Sequence, residues 1–407
     1  MRDATIALLA ALLLIPFSFC TSYGQSLVRV ERVWTINGSG NYSFDGALAM
    51  NNSDHRVLEI TTTPAMAVVI APDGSIRVGY NGSADILQAT AIVAVNFSTS
   101  IQSDSPLERR NLSATNLTAW TPGIEAAAES LADNSSSLNT IRNLTNFVHD
   151  YITYNISYFG AVVPAEQVFV ERQGVCVEYS HLLISMARRL GFETRFVSGY
   201  VNGGLWQPHA WVEITVPGYD RPLQVDPTFD EIGELDSSHV AMGSGADQGD
   251  IYDRIESTKK MDISVTDNVE FINESADAKD LAIAYTFNES TGLLEMILGN
   301  DRQEYAYATY ELLLPEALGL NERKAVLLGP QEMMRLNYTL NISDFEPGYR
   351  YTIPMAASIG DSKLSTALTV EPEAPPQPQQ PGATPAGACA PAFAILALLI
   401  NLYLSRQ

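Results

Sequence analysis

A single cysteine stands between the two apolar ends of this chain. Of three cysteines, Cys20 lies in the first apolar segment and Cys389 at the start of the last, so Cys176 is alone in everything between them. No disulfide within one chain can staple that region. The chain has 407 residues, enough for two or three domains at roughly 100–200 residues each, and these have to be held by burial alone. A hydrophobic content of 46% supplies the material. The same solitary thiol poses a second question, because a free cysteine in an exported protein is a liability unless it is buried or used.

Export is what the ends suggest. Residues 1–24 read as a signal peptide: Arg2 begins it, an apolar run from Ile6 to Phe19 follows, and small or polar residues close it. Residues 386–404 are mostly apolar and are followed by Arg406. At about nineteen residues they are long enough to span a bilayer, with the Arg on the cytoplasmic side. The Pro- and Gln-rich residues 371–385 form a linker that cannot pack a core. Asn-X-Ser/Thr sequons run from Asn37 to Asn155 and from Asn273 to Asn341, with none between, in keeping with a glycoprotein. The expected location is the cell membrane, single-pass, with the folded part extracellular. The net charge of −23 without any basic run excludes a nucleic-acid partner.

Short alternating runs over residues 25–118, such as Leu58–Thr62 and Ile92–Phe97, with turn signals at Asn37-Gly38 and Asn81-Gly82, predict a β-rich N-terminal domain. The pattern becomes helical over Gly123–Ala132 and Leu138–Tyr154, where Leu144, Val148 and Tyr151 share a stripe. Val177–Leu190 predicts a further helix, stopped by Gly191. Thr194–Tyr200, Ala210–Val216 and Leu223–Val225 are strand-like, so residues 119–252 read as an α+β domain. Residues 262–370 return to β runs spaced like a small sandwich.

The chemistry concentrates in the α+β segment. Gly174-Val175-Cys176 opens a helix, whose N-terminal amides and positive dipole end favour a thiolate and can donate to an oxyanion. His209 lies on a strand in Pro208-His209-Ala210-Trp211-Val212-Glu213, and Asp226 one strand on, in Asp226-Pro227-Thr228. A carboxylate on one imidazole nitrogen and a thiol on the other is how a nucleophilic cysteine is activated. With Arg195-x-x-x-Gly199-Tyr200 between them, these motifs resemble the transglutaminase-like superfamily over Pro122–Tyr252. The resemblance implies a papain-like transglutaminase core, with Cys176, His209 and Asp226 as its triad and acyl transfer through a thioester as its reaction. The outcome would be cross-linking, deamidation or hydrolysis of a protein or peptide at the cell surface. A surface cysteine peptidase and a non-catalytic binding or architectural module are the rival readings.

Other residues are candidates for supporting roles. Trp206 and Trp211 flank His209 and are candidate substrate contacts, with the loop Asn202–Gln207 as the expected specificity region. Tyr158, Gln173 and Gln167 are candidates for the second oxyanion donor. His181 is expected on the far side of the helix from Cys176, as a surface or packing group; Glu213 to pair with Arg195 or to act; and His239 to be structural. The five histidines form no metal motif and no paired-cysteine spacing exists, so no metal or cofactor is expected. Calcium, which some family members use, would fall to the acidic stretch Asp226–Tyr252, which a solvated loop explains equally well.

Overall fold

The structure, a computed structural model, describes residues 26–372 apart from 97–100, 220, 234, 236–237, 275–280, 343–344 and 361. The expected signal peptide, nearly all of the Pro/Gln linker and the C-terminal apolar helix lie outside the described residues. Among the described residues no helix is long and apolar enough to cross a membrane.

Helices α1 (Pro122–Leu131), α2 (Ser137–Tyr151), α3 (Ala165–Glu171) and α4 (Cys176–Leu190) pack together beside a five-stranded antiparallel sheet. Local chemistry sets their ends. Thr121 Oγ1 accepts from Ile124 N with Pro122 at the first position, and Ser136 Oγ accepts from Asn139 N. Both cover amides that a helix start leaves without partners. Gly191, at φ +104°, ends α4 in the left-handed conformation that a glycine adopts without strain.

The sheet runs, edge to edge, Glu231–Gly233, Leu223–Asp226, Trp206–Thr215, Glu193–Asn202, His239–Gly245. The period-two alternation of Trp206–Thr215 divides its side chains between two cores. Ala210, Val212 and Ile214 pack with the helices, while Trp211 packs with a β-sandwich on the other side. Helix α4 is buried along nearly its whole length because it sits between the sheet and the other three helices.

That sandwich consists of two four-stranded sheets. One runs Asp262–Asn273, Ser26–Asn37, Ile86–Val95, His55–Thr63; the other Arg254–Glu256, Tyr42–Met50, Ser75–Gly82, Ala67–Ile70. Strand Asp262–Asn273, assigned from the sequence to the second β unit, instead pairs along Ser26–Asn37, from Leu27↔Asn273 to Asn37↔Asp262. The α+β segment is therefore an insertion within the first sandwich. A strand's periodicity shows that it has a buried face but not which partner lies beside it. The second sandwich starts at Leu281, with sheets Leu281–Asn288, Leu293–Asn300, Met333–Thr339 and Asn321–Leu328, Ala306–Leu313, Tyr351–Ile359, Ser362–Val370. It encloses its own core around Leu294, Met296, Tyr310 and Ile359.

Candidate active site

Cys176 is the first residue of α4 and is 9% exposed. Being first, its N–H has no acceptor within the helix. One residue earlier, Val175 N–H donates to Glu178 Oε2 at 2.9 Å, so the helix's own third residue secures the turn that presents the thiol. Burial pushes the Glu178 carboxyl up to about 6. Gly174 is required by space, since a Cβ there would collide with the Glu178 side chain.

His209 lies in register with Gly199 on the neighbouring strand, and Gly199 in turn with Ala241 on the next. A Cβ at Gly199 would run into Val240 O and the Trp211 ring, so the glycine of the Arg195-x-x-x-Gly199-Tyr200 motif leaves room for the ring that packs beside His209. His209 Nε2 lies 2.6 Å from Asp226 Oδ2. That leaves Nδ1 as the ring nitrogen free for the Cys176 thiol, which is near enough to act on the His209 charge and lines the same cavity. Burial alone would lower the His209 pKa. The charge and hydrogen bond of Asp226, with Cys176 beside the ring, outweigh it and raise the pKa to about 10. Asp226 is fully buried. Burial would raise its pKa, but the charge of His209 and hydrogen bonds from two imidazoles hold it well below the usual carboxylate range.

The second imidazole is His239, whose Nε2 lies 3.1 Å from the same Asp226 Oδ2. Asp226 Oδ1 accepts from the backbone of Thr228 at 2.8 Å and Phe229 at 3.2 Å. The carboxylate thus has four donors, and the turn that Asp226 opens, through Phe229, supplies two of them. Phe229 stacks on His209, with centroids 5.1 Å apart, and Trp211 meets His239 edge-on at 5.4 Å. Beyond His239 lies His55 of the first sandwich. Burial lowers its pKa to about 3, and its Nε2 accepts from Ala241 N at 3.1 Å. The second sandwich holds the turn from the opposite direction. Thr309 Oγ1 and Arg323 donate to the carbonyls of Asp230 and Phe229, and Ala325 N donates to Asp230 Oδ2 at 2.6 Å.

Cys176, His209 and Asp226 are therefore brought together, and the other candidates are mostly not. Trp211 is fully buried, and its indole donates to Gln224, so it has no face toward a substrate. Trp206 packs on Phe271 of the first sandwich, with centroids 4.9 Å apart, and is absent from the cavity wall at Cys176. Gln173 is exposed, with its Oε1 accepting from Asn155. Tyr158 does line the cavity, but its hydroxyl donates to Glu171, as does the amide of Gln167. His181 is packed, not on the surface: it is fully buried against Val163 O at 3.0 Å. Glu213 is buried, 3.9 Å from Arg195 and 3.1 Å from Gln224. His239, expected to be structural, is placed directly on the carboxylate that orients His209.

The cavity beside Cys176 measures about 280 Å³. Its walls come from two loops that carry no sequence motif, 158–162 and 248–252, together with Phe196, Ser198 and Pro208. Among the described residues, the one group of three side chains with metal-ligand atoms close together is His209, Asp226 and His239, all buried, within 4.8 Å. Two imidazole nitrogens at 2.6 and 3.1 Å from one carboxylate oxygen are spaced as hydrogen-bond donors to it. In the acidic stretch, Asp247 and Asp250 accept from Gly249 N and Ala246 N, and just past its end Asp253 accepts from Trp34 and Ala47.

Residues 125–227 match the family described as the Transglutaminase-like superfamily. Curated relatives from Mycobacterium tuberculosis and Mycobacterium leprae, both described as uncharacterised, are 26% identical over 140 residues and 23% identical over 146. The matches cover 31% and 33% of this chain and 44% and 50% of theirs, so the chain spans half or less of the relatives' length. A crystal structure from Cytophaga hutchinsonii, whose name proposes a cysteine protease, is similar with a TM-score of 0.48 and 16% identity, covering 63% of this chain and 93% of that one. Red sea bream transglutaminase is similar at a TM-score of 0.22 and 10% identity, over 83% of this chain and 78% of its own. Over residues 125–227 the chain carries a domain of the transglutaminase-like superfamily.

Proposed function

We propose that this protein is an acyl-transfer enzyme acting at protein or peptide amides, with Cys176 as nucleophile, His209 as acid and base, and Asp226 holding His209. The observation that carries the reading is the 2.6 Å contact from Asp226 to His209 Nε2, with Cys176 at a helix start lining the same cavity as His209. The Cys176 Sγ thiolate bonds to the amide carbonyl carbon, and the oxygen becomes an oxyanion facing the amides of the first α4 turn. As the intermediate collapses, the C–N bond breaks and the nitrogen leaves with the proton from His209. A thioester remains. An amine or water then attacks it, His209 takes the incoming proton, and the C–S bond breaks to return the thiolate. An amine acceptor gives cross-linking, and water gives deamidation or hydrolysis.

The same proposal places the chain at the cell surface, held by its C-terminal apolar segment. Its support is the sequence: two apolar ends and sequons spread over both β regions. The acyl-transfer reading is tested by incubating the full chain and Cys176→Ala with a protein mixture and a tagged primary amine, followed by mass spectrometry. Cys176-dependent tags at Gln side chains mark a transferase, and Cys176-dependent new termini mark a peptidase. Neither product from a folded sample turns the reading toward a binding module.

A further inference from the structure

The cavity at Cys176 has an uneven chemistry. Among its lining residues no Lys, Arg, Asp or Glu appears; outside the Cys176 and His209 pair itself the wall carries no charged group at neutral pH. The remaining wall is dominated by Phe159, Val162, Phe196, Pro208, Ile251 and Tyr252. Three of these are also among the more exposed large side chains of the described residues: Phe159 at 68%, Val162 at 54% and Tyr252 at 51%. Apolar side chains left facing solvent at the mouth of a pocket mark a surface that something covers. They come from two separate loops, and Tyr252 is braced by Gln248 across its turn, at 3.3 Å. The volume of about 280 Å³ lies just below the usual range of ligand pockets, roughly 300–1,000 Å³. It suits one side chain with its carbonyl rather than an extended ligand.

We infer that the acyl donor is a peptide segment with a large, uncharged apolar or aromatic side chain next to the reacting amide, and that loops 158–162 and 248–252 select it. The inference rests on the acyl-transfer reading of the same site and adds to it the substrate class. A charged side chain entering this wall would lose its water, and the one cation it could meet there, His209, is already paired with Asp226. A well-fitting apolar one gains contact on both sides, and differences of a methylene or more in such a pocket discriminate by about 10–200-fold. The reacting thiol then works in a space that the substrate itself closes to water.

Three alkylating probes separate this inference from the reading beneath it. The full chain is treated with iodoacetamide, N-benzyl iodoacetamide and N-(4-carboxybenzyl) iodoacetamide. In each case Sγ bonds to the methylene carbon and iodide leaves. Rates at Cys176 are read by peptide mass and divided by each probe's rate with N-acetylcysteine. The expected result is a normalised rate for the benzyl probe at least about 10-fold above iodoacetamide, with the carboxybenzyl probe falling below the benzyl one. That advantage should shrink in Val162→Asp and in Phe159→Ser. Equal normalised rates for all three probes, with Cys176 still faster than the free thiol, would overturn the selective pocket and leave the catalytic reading standing. A Cys176 no faster than the free thiol with any probe would sink both. Full benzyl preference in both folded variants would show that loop 158–162 is not the selecting wall, and would also overturn the inference.

Discussion

The two sides of the proposed Cys176–His209 pair are built in opposite ways. On the Asp226 side every polar atom of the carboxylate is engaged and nothing is exposed. Parts of all three units converge there: His55 from the first sandwich behind His239, the central sheet itself, and Thr309, Arg323 and Ala325 from the second. On the Cys176 side the wall is two loops with their apolar side chains facing solvent. The difference separates two tasks. Holding a charge pair away from water needs complete hydrogen bonding and immobility, because an unpaired buried charge is costly. Accepting a substrate needs apolar surface left uncovered.

The largest effect is expected at the junction of the two sides. Cys176→Ala should abolish amine incorporation and cleavage while thermal unfolding stays close to that of the parent chain, since it removes one small side chain without breaking the Asp226 network. Asp226→Asn attacks the rigid side and should lower turnover by about 10³–10⁴-fold, the scale seen when a triad carboxylate is neutralised. It should also change the pH dependence of stability. In the folded chain the His209 pKa is raised from 6.5 to about 10. The stabilisation from its pairing is thus complete below about pH 6.5 and is lost as pH climbs through about 10. Denaturant unfolding of the parent from pH 6 to 10 should show that loss, and Asp226→Asn should flatten it.

His239→Phe removes one of four donors to Asp226 and leaves the triad itself. About a tenfold loss of turnover and about 1–3 kcal/mol of stability are expected. The second is read by chemical unfolding, and unchanged values in both would mean that the rigid side does not depend on His239. The smallest effect belongs to Thr309→Val, which deletes the bond to the Asp230 carbonyl at the second-sandwich border. It should cost about 0.5–1.5 kcal/mol with turnover nearly intact. A large activity loss there would show that the border steers Asp226 more than the four direct bonds imply.

The same contrast explains what the amino-acid sequence discloses. The rigid side consists of short motifs whose chemistry is local: Gly174 before Cys176, His209 two residues before Trp211, and Asp226 opening a turn that bonds back to it. Such features can be read from neighbours in the chain. His239 has its strand and its polarity in the sequence, but its sharing of Asp226 arises only when the Glu193–Asn202 strand brings two distant strands to either side of it. The pairing of Asp262–Asn273 with Ser26–Asn37 is equally non-local. The substrate wall is the least legible. Phe159, Val162 and Tyr252 are single apolar residues in loops, with no period and no motif. The sequence instead directs attention to Trp206 and Trp211, which the first sandwich covers.

The measurement that bears most directly on the proposed acyl-transfer centre is the protonation of His209 itself. The chain is labelled with ¹⁵N-histidine, its imidazole signals are followed from pH 5 to 11, and His209 is assigned by its loss in His209→Gln. A ring that stays doubly protonated through neutral pH and titrates near 10, and nearer 6.5 in Asp226→Asn, is the expected result. A His209 that titrates near 6.5 in the parent chain, with no response to Asp226→Asn, would contradict an imidazolium held by Asp226 beside Cys176.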